Sequence, residues 1–171
     1  MGRRLTALLR QLDAACLNVD ELAAAAAEAF AGHPDAEIIT SFPGVGPLTG
    51  ARLLAEIGDD RDRFADPKAL KSYAGTAPIT RASGRSSFVN ARKARNDRLI
   101  AAGFMWTITA IRTSPGARIH YDRRRAAGDK HSAAQRNLLN ALLGKLWHCL
   151  RTGTSYDEAS AFTGAPEPAA A

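Results

Sequence analysis

Residues 77–89 read APITRASGRSSFV: three serines and two arginines gathered around one glycine, with no histidine, aspartate or glutamate in the window. A serine hydroxyl is a poor nucleophile until a base, a metal or a local field activates it. Arginines supply the charge and the donors that hold phosphate oxygens. The set suits a hydroxyl brought to a phosphate, with its base arriving from elsewhere. A solvated turn whose hydroxyls bond their own backbone is the plain alternative. Two further basic clusters follow, Arg92, Lys93, Arg95 and Arg98, then Arg123, Arg124 and Arg125. Net charge is +6, yet residues 80–136 hold 13 Lys/Arg against 3 Asp/Glu, and the rest of the chain is net acidic. Basic charge concentrated in one third of a sequence marks a surface for a polyanion such as DNA.

Other reactive residue types are less telling. The histidines and cysteines show no zinc-type spacing, and Cys16 and Cys149 lie in apolar helical patterns expected to bury them as reduced thiols. Asp59, Asp60, Asp62 and Asp66 sit among arginines and read as a salt-bridged loop, so no metal site or cofactor is expected within the chain. Tyr121 beside DRRR lacks the arginine and histidine set of a tyrosine recombinase. No apolar run approaches the roughly 18 residues of a membrane span. Gln11 and Asp13 interrupt any signal-peptide core, and a cytoplasmic, nucleoid-associated protein is expected.

The scaffold for these groups is expected to be helical. Leu5, Leu9, Leu12, Cys16, Val19, Ala23, Ala26 and Phe30 alternate spacings of four and three, the seam of a long helix that pairs with its own copy or with the domain core. A homo-oligomer through residues 5–30 is the expectation. Residues 38–59 read as two helices about a PGVG turn, like a helix-hairpin-helix, with Leu48, Ala51, Leu54 and Ala55 on one face of the second. Gly44 and Gly46 would let the backbone approach a phosphate held by the following helix N-terminus. Asp66-Pro67 starts a short helix as cap and first residue, ending at Gly75. Residues 91–114 read as a helix with Arg92, Lys93, Arg95 and Arg98 in its first turns, against the macrodipole, and Leu99, Ile100, Phe104, Ile108 and Ile111 inward. Leu138, Leu139, Leu142, Leu143, Leu146, Trp147 and Leu150 make the core face of a closing helix. The expected fold is mostly all-α: a coiled-coil-type helix at 1–32, a compact helical domain at 38–158 and a disordered tail at 159–171.

The order of motifs FPGVGPLTGARLLAEIGD, FADPKALKSYAGTAP, SG, ARNDRL and YDRRRAAGDKHSAAQRNLLNALLGKLWHCLRTGTSYD resembles the C-terminal domain of the IS110/IS116/IS902 insertion-sequence transposases. The resemblance covers roughly residues 38–158. It implies a DNA recombinase whose N-terminal RuvC-like domain binds magnesium through acidic residues, joined by a coiled coil to a serine-bearing domain and guided by a bridge RNA. The family's SG falls on Ser83-Gly84, which makes Ser83 the implied nucleophile, with Ser86 and Ser87 as alternatives. Arg81, Arg85 and Arg92 would hold the scissile phosphate. The usual Gly-Asn of the family is Arg95-Asn96 here, and no run offers the spaced carboxylates of a RuvC-like half. The expectation is therefore a partial transposase, or a non-catalytic DNA- or RNA-binding module derived from one.

Overall fold

The computed structural model describes residues 2–84, 86–90 and 92–162, with 80–82 and 86–90 described by backbone alone. The chain is mostly helical. In order it runs α1 (Gly2–Ala31), α2 (Ala36–Thr40), α3 (Pro47–Ile57), α4 (Pro67–Tyr73), β1 (Ile79–Ser83), β2 (Ser86–Asn90), α5 (Asp97–Thr113), α6 (Pro115–Ala126), α7 (His131–Thr152) and α8 (Glu158–Phe162).

The core forms around α7. Its leucines recur at three- and four-residue steps, so Leu138, Leu139, Leu142, Leu143 and Leu146 share one face and are fully buried. Each such side chain contributes about 2 kcal/mol by leaving water. Helix α4 packs on this face through Leu70, and α5 crosses it where Gly103 stands against Leu139. A Cβ at 103 would lie 2.6 Å from the Leu139 Cδ2, so only a residue without a side chain admits that approach. On the far side of α5, Trp106 is fully buried, stacked edge-on to Phe42 at 5.5 Å between centroids.

Several elements differ from the sequence reading. The serine segment is an antiparallel hairpin, not a loop, with Thr80 opposite Val89 and Ser83 opposite Ser86. The helix expected from 91 begins at Asp97, because the Asn96 side chain accepts from the Leu99 N–H at 2.9 Å and caps it. Arg92, Lys93 and Arg95 thus precede the helix, and the first turn carries an acidic residue, as the dipole favours. The buried face differs as well: Trp106, Thr107 and Ala110 are buried, whereas Ile108 is exposed. In α3 the buried face is Gly50, Leu53, Leu54 and Ile57, and Leu48 is exposed. Ala159–Phe162, expected in a disordered tail, belong instead to α8; residues 163–171 lie outside the described residues. Cys149 is buried, but Cys16 is exposed, because most of α1 has no helix against it. Only the end of the seam docks in cis: Phe30 is buried against Gly50 of α3.

A serine hairpin and its basic surround

Both feet of the hairpin are fastened to the C-terminal end of α4. The first foot is held where the Thr76 and Ala77 N–H groups donate to the Lys71 carbonyl at 3.0 and 3.3 Å, and Thr76 Oγ1 donates to Asn140 Oδ1 at 3.1 Å. The second is held where the Asn96 N–H donates to the Tyr73 carbonyl at 2.8 Å. Asp66 caps α4 as its sequence predicts, accepting from Ala69 N–H at 2.7 Å, and Gly75 with φ +75° turns the chain out of it. The clamp is therefore a capped helix anchored in the core through Leu70.

A buried-edge polar network locks the second foot. Asn96 Nδ2 donates to Glu56 Oε2 at 2.7 Å and to the Tyr73 hydroxyl at 2.6 Å, while Arg63 donates to the same hydroxyl at 3.1 Å. Glu56 also pairs with Arg98 at 2.9 Å. Arg95, standing where the family's glycine was expected, fits because Gly75 faces it: a Cβ on Gly75 would lie 2.5 Å from that of Arg95. Sequence reasoning missed Glu56, Tyr73 and Asn96 as a unit, although an asparagine and aspartate ahead of an apolar run was a readable capping signal.

Ser83 is exposed and is the last residue of β1, next to Gly84 with φ +56°. Ser86 pairs with it across a two-residue connection, and Ser87 pairs with Ala82. Such a connection matches the strand twist only with left-handed backbone at its first residue, which glycine adopts freely. The side chains of Arg81, Ser86 and Ser87, and the whole of Arg85, lie outside the described residues. Arg92 is half-buried, and its Nε has no hydrogen-bond partner among the described residues. Lys93 and Arg95 are exposed, Arg95 bonded to Asp97 at 2.8 Å.

The remaining candidates lie elsewhere. Arg123, Arg124 and Arg125 occupy the last turn of α6, where cations complement the dipole. Arg124 pairs with Asp129 at 2.7 Å and Arg125 donates to the Asp129 carbonyl at 2.6 Å. Tyr121 bonds His131 at 2.7 Å. Gly44 has φ +77° and is pressed on α5, where a Cβ would stand 2.7 Å from Ala110 N and Thr109 C; Gly46 opens to free space at the N-cap of α3. Of the aspartates, Asp59 faces His33 at 3.2 Å, Asp62 pairs with Arg151 at 2.7 Å and Asp66 is the α4 cap. No helix among the described residues is long and apolar enough to cross a membrane.

The chain is 62% identical to "Mini-circle putative transposase for IS117" of Streptomyces coelicolor over 94% of its own length and 39% of the relative's. It is 41% identical to the IS900 uncharacterized 42 kDa protein of Mycobacterium paratuberculosis, over 78% of this chain and 34% of that one. It is 38% identical to the IS110 uncharacterized 43.6 kDa protein of Streptomyces coelicolor, over 73% and 31%. The chain thus spans about two fifths or less of the relatives it matches. The sequence model of the Transposase IS116/IS110/IS902 family matches residues 36–122, from α2 through the hairpin and into α6, and the chain belongs to that family.

Proposed function

We propose that this chain binds DNA through its hairpin and basic segments and supplies Ser83 as the nucleophile for strand cleavage and transfer in transposition. The observation that carries the reading is an exposed serine at the tip of a two-residue turn, on a hairpin whose feet are clamped to the core, in a chain of a transposase family. In the proposed step the Ser83 Oγ forms a bond to phosphorus while one phosphodiester P–O bond breaks. The hydroxyl proton goes to a base, and the departing alkoxide takes up a proton. Arg92 and Lys93, at the second foot, would neutralise phosphate charge, since positioning and charge supply most of such catalysis.

The described residues hold no group of three His, Cys, Asp or Glu able to bind a metal ion. In this reading the magnesium implied by the family resemblance would be held by the acidic residues of a RuvC-like domain. A bridge RNA and self-association through α1 complete the proposal. The second reading, a nucleic-acid-binding module without catalysis, shares the same basic segments and parts from the first only at Ser83.

Binding tests the shared part. DNA affinity should fall steeply with salt, and Lys93→Ala should reduce the log–log slope by about 0.9, one phosphate contact's worth. Ser83→Ala should bind as tightly as the parent. Affinity independent of salt would defeat the basic-segment assignment.

A further inference from the structure

A cavity of about 630 Å³ lies away from the hairpin tip, between α4, α7 and the segment leading into α8. That size falls within the range of small-ligand sites, about 300–1,000 Å³. The chain has only five lysines, and two of them, Lys71 and Lys145, line this groove together with His148. Lys71 reaches it across α7 because Gly144 has no side chain: a Cβ there would stand 2.9 Å from Lys71 Cε and 3.0 Å from Nζ. Lys145, the next residue along α7, donates to the Ala161 carbonyl and lies 5.1 Å from the Phe162 ring centroid.

The two ammonium groups share a concave site without a carboxylate partner. Asp157 lines the groove, but its carboxylate accepts from the Ala159 and Ser160 N–H groups at 3.2 and 3.1 Å. Glu158 is engaged with Ser114, Gly116 and Tyr156. Neither lysine forms an ion pair among the described residues. Burial, and then the charge of Lys71, hold the Lys145 ammonium below the usual lysine value. Two like charges converging in a groove cost free energy that an anion placed between them would recover.

We propose that this groove is a phosphate-ester site, with Lys71 and Lys145 as its cationic floor and Thr154 and Ser155 lining its wall. The phosphate comes from a nucleic-acid backbone or from a free nucleotide. The site does not depend on Ser83 chemistry, so the two proposals fail separately.

Lysine acetylation followed by peptide mass mapping tests it on the intact chain, with Lys68 as internal reference. The probes are a short single-stranded oligonucleotide, AMP and inorganic phosphate. At a probe concentration about ten times its Kd, acetylation of Lys71 and Lys145 should drop about tenfold while that of Lys68 stays unchanged. Protection by the oligonucleotide supports a strand as the source; protection by AMP alone supports a free nucleotide. Lys145→Arg should retain protection of Lys71 and Lys145→Gln should lose it, with unchanged Tm in both. If no probe protects the pair while the oligonucleotide still protects Lys93, the proposal is wrong.

Discussion

Gly44 and Gly46 look alike in the sequence, and substituting each with alanine separates two uses of a glycine. At Gly44 an alanine must hold φ +77°, which costs about 1–2 kcal/mol for a residue with a Cβ. Its Cβ would stand 2.7 Å from Ala110 N and Thr109 C, backbone atoms inside α5 that cannot swing aside, and overpacking of this kind costs about 1–3 kcal/mol. The displaced turn would also strain two hydrogen bonds, Thr109 Oγ1 to the Gly44 carbonyl at 2.8 Å and Trp106 Nε1 to the Pro43 carbonyl at 3.1 Å. The two terms alone sum to about 2–5 kcal/mol, a large part of a domain's typical 5–15. Gly46 has φ −91° and no atom within 4 Å of a Cβ, so its alanine variant should stay within about 0.5 kcal/mol of the parent. Urea unfolding followed through Trp106 and Trp147 measures both. A stable Gly44→Ala that loses DNA affinity would refute the argument, because the close approach would then be to a phosphate and not to α5.

Three further outcomes follow from particular contacts. Asn96→Ala removes the α5 cap and both bonds to Glu56 and Tyr73, and should cost about 2–3 kcal/mol by urea unfolding; a loss under 0.5 kcal/mol would mean that the foot is held by backbone alone. Burial pushes the Glu158 carboxyl up, but bonds from Ser114, Gly116 and Tyr156 together outweigh it and hold the group below its ordinary 4.5. A depressed carboxylate stabilises above its unfolded value and loses that contribution as pH falls through the folded one. The Tm gap between parent and Glu158→Ala should therefore be widest near neutrality and close below pH 4.5. A gap independent of pH would show that Glu158 acts by packing. Leu9 and Leu12 are 51% and 58% exposed on α1, so a double change to glutamate should leave the Tm unchanged while abolishing self-association in sedimentation. A parent that is monomeric at high concentration would refute the seam as an interface.

The sequence showed most clearly what local rules decide. The α7 leucines keep one period over several turns, and Asp66-Pro67 states a helix start in two residues, so both were legible. The hairpin was not, because its strands are five residues each and the turn-forming serines and glycine dominate them; Ile79, Thr80, Phe88 and Val89 were the available β signal. The start of α5 was hidden by the arginines that run into it, although Asn96-Asp97 carried the cap. The foot network was out of reach in principle: Glu56 and Asn96 are 40 residues apart and meet only through the packing of α3 on α5. Lys71 and Lys145 converge for the same reason, across the α4–α7 contact.

The most direct test of the central claim is to find the residue that becomes joined to DNA. The chain would be incubated with target DNA, guide RNA, magnesium and the RuvC-like domain of a relative, then denatured and digested with trypsin. Cleavage after Arg81, Arg85 and Arg92 places Ser83 alone on the peptide ASGR and both Ser86 and Ser87 on SSFVNAR. A nucleotide-bearing ASGR, absent from Ser83→Ala, is the predicted result. A nucleotide on SSFVNAR would contradict the choice of serine, and tight DNA binding with neither peptide modified would contradict the catalytic role itself.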